Sequence, residues 1–202
     1  MRSLITMASV LVIGAVAAGC DTASDDDSAA SDAPSEAVTE ETVVPDQPAA
    51  LTHPVPEGFE LDTEGGAQYI LGYPSTNTLY RPLDNAESTH RIYVVSYLLP
   101  EEYTDYEAQS TVVQEYDTLS ANTAAPSETD PAVTAGYDGV YRHAKVLDWW
   151  DEPVEQMNFF VFNGQLMAHV SCQWKNEPEA MLKACQEVAT GLTFESPGEG
   201  AD

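Results

Sequence analysis

Residues 156–174 read QMNFFVFNGQLMAHVSCQW, two apolar, β-prone runs flanking Asn163-Gly164. Asn-Gly is the preferred pair for a two-residue type I′ hairpin, so the spacing predicts two antiparallel strands with Phe162 opposite Gln165. In that register Met157, Phe159 and Val161 share a face with Leu166, Ala168, Val170 and Cys172. Phe160, Phe162 and Met167 take the other face, beside Asn158, His169 and Gln173. Both faces are partly apolar, and a sheet of that kind needs cover on each side. The predicted fold class is therefore α+β, an antiparallel sheet with one helix packed on each face.

The flanking sequence supplies the remaining elements. Asn176, with Glu179 three residues on and proline in the first turn, caps a helix whose stripe is Met181, Leu182, Cys185, Val188, Ala189 and Leu192. Gly191 ends it. Upstream, Thr104-Asp105-Tyr106-Glu107 has capping-box spacing and starts a helix to about Ala121, with Ala108, Val112, Tyr116 and Leu119 on one face. Residues 67–73, 90–99 and 140–147 read as strands. Pro126 and Pro131 read as a loop, with Gly136 and Gly139 flanking the turn that follows.

Of three cysteines, Cys172 lies on a core face of the hairpin and Cys185 on the core face of the next helix, with twelve residues between them. That distance allows a chain to leave the strand, turn and pack back. In an oxidising compartment the two are expected to form a disulfide. The spacing is neither Cys-x-x-Cys nor that of a zinc site.

The ending MAHVSCQWKNEPEAMLKACQEVATGLTF resembles the last strand, helix and short final strand of PsbP-like domains, and HPVPEGFEL (53–61) resembles their opening. The resemblance extends to actinobacterial lipoproteins of the LpqN type. It implies the same sandwich over residues 53–196 and carries no catalytic residues.

The N-terminus fits that resemblance. Met1-Arg2 precede an apolar run, Leu4 to Ala18, of the length of a signal peptide and short for a spanning helix of about 20 residues. Val16-Ala17-Ala18-Gly19-Cys20 resembles a bacterial lipobox. That implies a leader over 1–19 and a diacylglyceryl anchor on Cys20, carrying acyl chains such as palmitate and held firmly by two of them. Asp21 follows; in enterobacterial lipoproteins an aspartate there accompanies inner-membrane retention.

Residues 20–52 hold nine acids, no base and much Ser, Thr, Ala and Pro. Such a segment cannot bury enough apolar surface to fold, so it reads as a disordered tether, and 197–202 as a flexible tail. The expected location is the extracytoplasmic face of a membrane.

The whole chain carries 34 acidic and 7 basic residues, a net charge of −27. Nucleic acids and anionic headgroups would be repelled. His53, His90, His143 and His169 stand apart in sequence, and no hydrolase, zincin, phosphate-loop or dinucleotide motif occurs. No catalytic residue, metal or cofactor is expected.

Trp149-Trp150 puts two aromatics side by side at a strand end, where neighbours point to opposite faces. One facing outward among Asp148, Asp151 and Glu152 can stack on a sugar ring or a partner's apolar side chain; one facing inward packs under a loop or helix. The expected function is a non-enzymatic module that binds an envelope protein or polymer through this surface. The alternative is a small-ligand or lipid carrier with a pocket between sheet and helix lined by Phe160, Phe162 and Met167. A hydrolase is the third reading.

Overall fold

The computed structural model describes residues 46–63, 70–84, 89–120, 128–148, 151–176 and 178–195. In order these form β1 (Leu51–Thr52), β2 (Phe59–Leu61), β3 (Ser75–Pro82), β4 (Arg91–Leu98), α1 (Tyr106–Ser120), β5 (Glu128–Thr134), β6 (Tyr137–Leu147), β7 (Pro153–Asn163), β8 (Leu166–Trp174), α2 (Pro178–Thr190) and β9 (Thr193–Phe194). Strands β2 to β8 make one antiparallel sheet, ordered β2-β3-β4-β8-β7-β6-β5, while β1 and β9 form a separate two-stranded ribbon. The architecture is the α+β sandwich expected. Cys20, the leader, the tether up to residue 45, Trp149, Trp150 and the tail lie outside the described residues.

The central strand β8 shows why both faces need a helix. Ala168, Val170 and Cys172 pack with Ile92, Val94 and Val161 beneath Met181, Cys185, Val188 and Ala189 of α2. On the reverse, Met167 joins Val95, Tyr97, Phe160 and Phe162 beneath Val112, Val113 and Tyr116 of α1. Two separate apolar cores thus share one strand.

The hairpin register differs from the expected one. Asn163 pairs with Leu166 and Phe162 with Met167, so the turn residues are Gly164 and Gln165. Gly164 has φ +60°, and Gln165 is not in the left-handed region. Glycine alone at the first central position is the type II′ arrangement. Gln165 is held there from outside the hairpin. Its carbonyl accepts from Leu99 N–H at 2.8 Å, and its amide donates to the Pro100 carbonyl at 3.3 Å. Each strand slips by one residue, the index sum changes by two, and every side chain keeps its face. The type I′ signature, with φ positive at both central residues, occurs instead at Ala135-Gly136 between β5 and β6.

Other corrections have similar local causes. The Pro131 region is the edge strand β5, where a residue without N–H is tolerated. Gly139 lies within β6, not at a turn, and any Cβ there would meet the Phe160 carbonyl oxygen. Residues 70–73 are not a strand. Leu71 instead plugs the α1 core, and Tyr73 donates to Glu115 Oε2 at 2.8 Å, which with burial pushes its phenol to about 12. The polar run 75–82 is the strand there. Asp105, rather than Thr104, caps α1 by accepting Ala108 N–H at 2.8 Å. The buried face is accordingly Gln109, Val112, Val113 and Tyr116, and Leu119 stays exposed.

The folded part also begins before His53. Ala49 is buried, Leu51 pairs with Phe194, and Glu195 N–H donates to the Ala50 carbonyl at 2.9 Å.

Cys172 and Cys185 are bonded, with their Cα atoms 5.9 Å apart, and both residues are fully buried. Replacing both with alanine is expected to lower the unfolding free energy by about 3 kcal/mol, read from urea midpoints. Because solvent does not reach the bond, reductant alone is expected to leave it intact until the chain opens. Free thiols appearing at once under native conditions would contradict this.

Candidate functional site

Phe160, Phe162 and Met167 do not line a pocket. They are 0%, 6% and 0% exposed, and the space over them is filled by α1. The Tyr116 ring lies edge-on to Phe160 at 5.4 Å, with Val112 and Val113 in the same closed layer. The carrier reading fails at these residues because their partners are side chains of the protein itself.

Beside that layer runs a chain of buried polar groups. Arg142 is fully buried, with Nη2 2.6 Å from Asp117 Oδ1 on α1 and Nη1 3.4 Å from Gln156 Oε1. Its guanidinium sits 5.9 Å from the centre of the Tyr116 ring. Gln156 Oε1 also accepts from Asn158 Nδ2 at 3.2 Å. Asn158 Oδ1 then lies 2.9 Å from His169 Nε2, which assigns the imidazole proton to Nε2. The His169 ring stacks on Phe160 at 4.2 Å. Sheet register explains the row, since Arg142, Asn158 and Ser171 are successive cross-strand partners on the α1 face.

Burial, and then the Arg142 charge, pull the His169 pKa down to about 3. Burial likewise raises the Tyr116 phenol. The imidazole is neutral at ordinary pH, but at 2% exposure it meets no substrate. The hydrogen bonds tie β6, β7 and β8 together, and the Arg142–Asp117 charge pair with the Tyr116 ring contacts fixes α1 on them. Sequence reading placed His169 and Asn158 on this face without linking them, because Arg142 and Asp117 come from elements distant in sequence.

The other feature is an open groove of about 600 Å³ beside α2, at the β2 edge of the sheet. Phe59, Pro82, Met181 and Ala184 supply its apolar wall. Lys175, Lys183, Glu57, Asp84 and Glu187 supply charges of both signs. Lys183 Nζ is 3.0 Å from Glu57 Oε2, a contact that lowers the carboxyl pKa and raises the ammonium's. Lys175 Nζ is 2.8 Å from Glu152 Oε2, and Asn176 N–H donates to His90 Nε2 at 3.4 Å. Gly58, with φ +82°, turns the chain so that Glu57 and Phe59 both reach the groove.

None of these residues was singled out as a site from sequence. The legible signal was the scarcity of cations, since two of the 7 basic residues fall in this one groove. Among the described residues no three His, Cys, Asp or Glu side chains converge as metal ligands.

No protein-family model matches the chain. No curated protein matches it either. Among solved structures, a protein of Bacteroides thetaiotaomicron VPI-5482 is similar at 12% identity and a TM-score of 0.48, over 74% of this chain. The chain spans only 46% of that structure's length. LpqN of Mycobacterium tuberculosis, involved in cell envelope biogenesis, is similar at 13% identity and a TM-score of 0.46, over 75% of this chain and 87% of LpqN. Both likenesses are weak.

Proposed function

We propose that this chain is an exported, lipid-anchored, non-enzymatic binding module. In this reading residues 1–19 are removed, Cys20 carries the lipid, an acidic tether follows, and the domain presents the groove beside α2 to a protein or polymer of the cell envelope. The observation that carries the reading is the groove itself. Its apolar wall and paired charges of both signs suit recognition of an extended partner, and its volume of about 600 Å³ is that of a ligand site. The interface under α1, by contrast, is occupied by packing, and its histidine is sealed from substrate.

The test is photocrosslinking in native membranes. A benzophenone side chain replaces Lys183 in the groove, and a control replaces Lys145, which is 72% exposed on β6. A discrete adduct from position 183 and none from 145 is the expected result. Equal labelling from both positions, or none from either, would remove the groove as the binding surface. Mass analysis of the same material reports on the anchor. A peptide beginning at Cys20 with added diacylglyceryl mass supports it, and an unmodified Cys20 ends it.

A further inference from the structure

The outer edge of β2 carries a consequence for how a partner binds. Two backbone bonds set its phase. Leu83 N–H donates to the Gly58 carbonyl at 2.9 Å, and Asp62 N–H donates to the Leu79 carbonyl at 2.8 Å. In an antiparallel ladder hydrogen-bonded pairs alternate, so Gly58, Glu60 and Asp62 aim their peptide groups at β3. Phe59 and Leu61 aim theirs the other way. The Phe59 N–H is used by the Pro56 carbonyl at 3.1 Å. The Phe59 carbonyl and both peptide groups of Leu61 remain along the outer side of the last strand in the sheet order.

The two edges of the sheet differ. On β5, Pro131 has no N–H to offer, and the Tyr106 hydroxyl occupies the Thr129 carbonyl at 2.7 Å. Such devices blunt an edge against added strands. Among the described residues β2 is blunted by its shortness and by the Phe59–Pro56 bond, while the side chains there invite contact: Leu61 is 52% exposed and the nearby Leu83 61%. The groove begins at this same strand, with Glu57, Gly58 and Phe59 in its lining.

Resting on the groove reading above, we infer that β2 accepts an added strand from a partner: an extended segment alternating basic and apolar residues, seated partly in the groove. Strand addition supplies main-chain hydrogen bonds while alternate side chains enter neighbouring pockets. Charge selects the basic class. The cations here are already matched, Lys183 by Glu57, Lys175 by Glu152 and Arg81 by Glu60. Asp84 and Glu187 add negative charge beyond those pairs, in a chain of net charge −27. A second copy of this chain brings the same charge to the edge and is repelled.

The probe is a fluorescent octapeptide of alternating Lys and Val, titrated against the full-length chain in mild detergent. Two comparison peptides are alternating Glu and Val, and the Lys–Val peptide N-methylated at every second amide. The variant Leu61→Pro removes one outward N–H and leaves the bonds to β3 in place. The expected result is binding of the Lys–Val peptide and slower hydrogen exchange at the Leu61 amide. Affinity is expected to fall about tenfold or more with Leu61→Pro and with the methylated peptide. The Glu–Val peptide is expected to bind no better than about a tenth as tightly.

Failure of the Lys–Val peptide to bind, undiminished binding to Leu61→Pro, or equal binding of the Glu–Val peptide would each overturn the inference. So would concentration-dependent pairing of the chain through β2, which would assign the edge to a second copy. If Leu61→Pro does not fold, the methylated peptide on the unmodified chain decides. Crosslinks from position 183 without protection at Leu61 would leave the groove standing and discard strand addition. Protection at Leu61 without those crosslinks would retain strand addition and discard the groove.

Discussion

Asparagine in place of Asp117 is expected to lower the unfolding free energy by about 3 kcal/mol, the lower end of the range for breaking a buried pair. Arg142 is fully buried, and its shortest charge contact is the 2.6 Å approach to Asp117 Oδ1. Without that carboxylate a guanidinium remains in a low-dielectric interior with Gln156 at 3.4 Å and the Tyr116 ring as neighbours. The Asp117 side chain is 22% exposed, so water enters part of the site and moderates the loss. Replacing both members, Arg142→Met with Asp117→Leu, removes the stranded charge and is expected to recover most of the stability. Urea unfolding of the two variants beside the parent measures both. A loss below about 1 kcal/mol in Asp117→Asn would show that other groups hold Arg142 and that the pair is not what docks α1.

The second large effect is a dependence on pH that runs through one imidazole. In the folded chain His169 stays unprotonated down to about pH 3, whereas the unfolded chain takes up that proton near 6.5. Acid therefore favours the unfolded chain. The stability from a neutral His169 is fully present above 6.5 and is lost as pH falls from there toward 3, at up to about 1.4 kcal/mol per pH unit. His169→Gln keeps a donor for Asn158 and abolishes the titration. Urea midpoints measured from pH 7 to pH 4 are expected to fall more steeply for the parent than for the glutamine variant. Parallel curves would mean that His169 is protonated inside the fold or that acid opens the seam first. Arg142, Tyr116, Phe160 and Asn158 face the imidazole, and the glutamine variant keeps all four, so the difference between the two curves belongs to His169.

The architecture was legible because the strongest patterns were local. Alternation along Met157–Val161 and Leu166–Cys172 assigned both sheet faces, and the stripe from Met181 to Leu192 assigned α2. The turn was misplaced by one residue because Asn-Gly was weighed alone, while Leu99 and Pro100, just past the end of β4 and far away in sequence, draw Gln165 into the turn. The helix α1 was rotated for a similar reason: Thr104 and Asp105 are both good caps, and only the contact to Ala108 decides between them. The outer strands were the weak point, β3 beside one edge and β5 at the other. The runs at 75–82 and 128–134 are polar because one side of each meets little core, so they lack the apolar signature of β4 or β8.

The site was less legible than the fold. The groove gathers residues from the 57–59 turn, the end of β3, the residues just before β4, those just after β8 and one flank of α2, and no short stretch contains it. Phe160, Phe162 and Met167 were read as apolar residues awaiting a ligand, when the residues awaiting them were Val112, Val113 and Tyr116.

The ribbon of β1 and β9 bears on what happens when the chain is pulled. In the proposed arrangement, with a lipid on Cys20 and a partner strand on β2, tension enters at residue 50 and leaves by residue 61. Among the described residues, two ladder pairs, Leu51 with Phe194 and Thr52 with Thr193, lie across its path, followed by the side-chain contacts of His53 with Tyr80 and of Glu57 with Lys183. The seven-stranded sheet, the disulfide and both helices sit outside it. Peeling the ribbon releases the stretch from Leu51 to Gly58, about 25 Å of extended chain. The domain can lengthen under load like a short extensible leash, with its sheet intact and its partner still held.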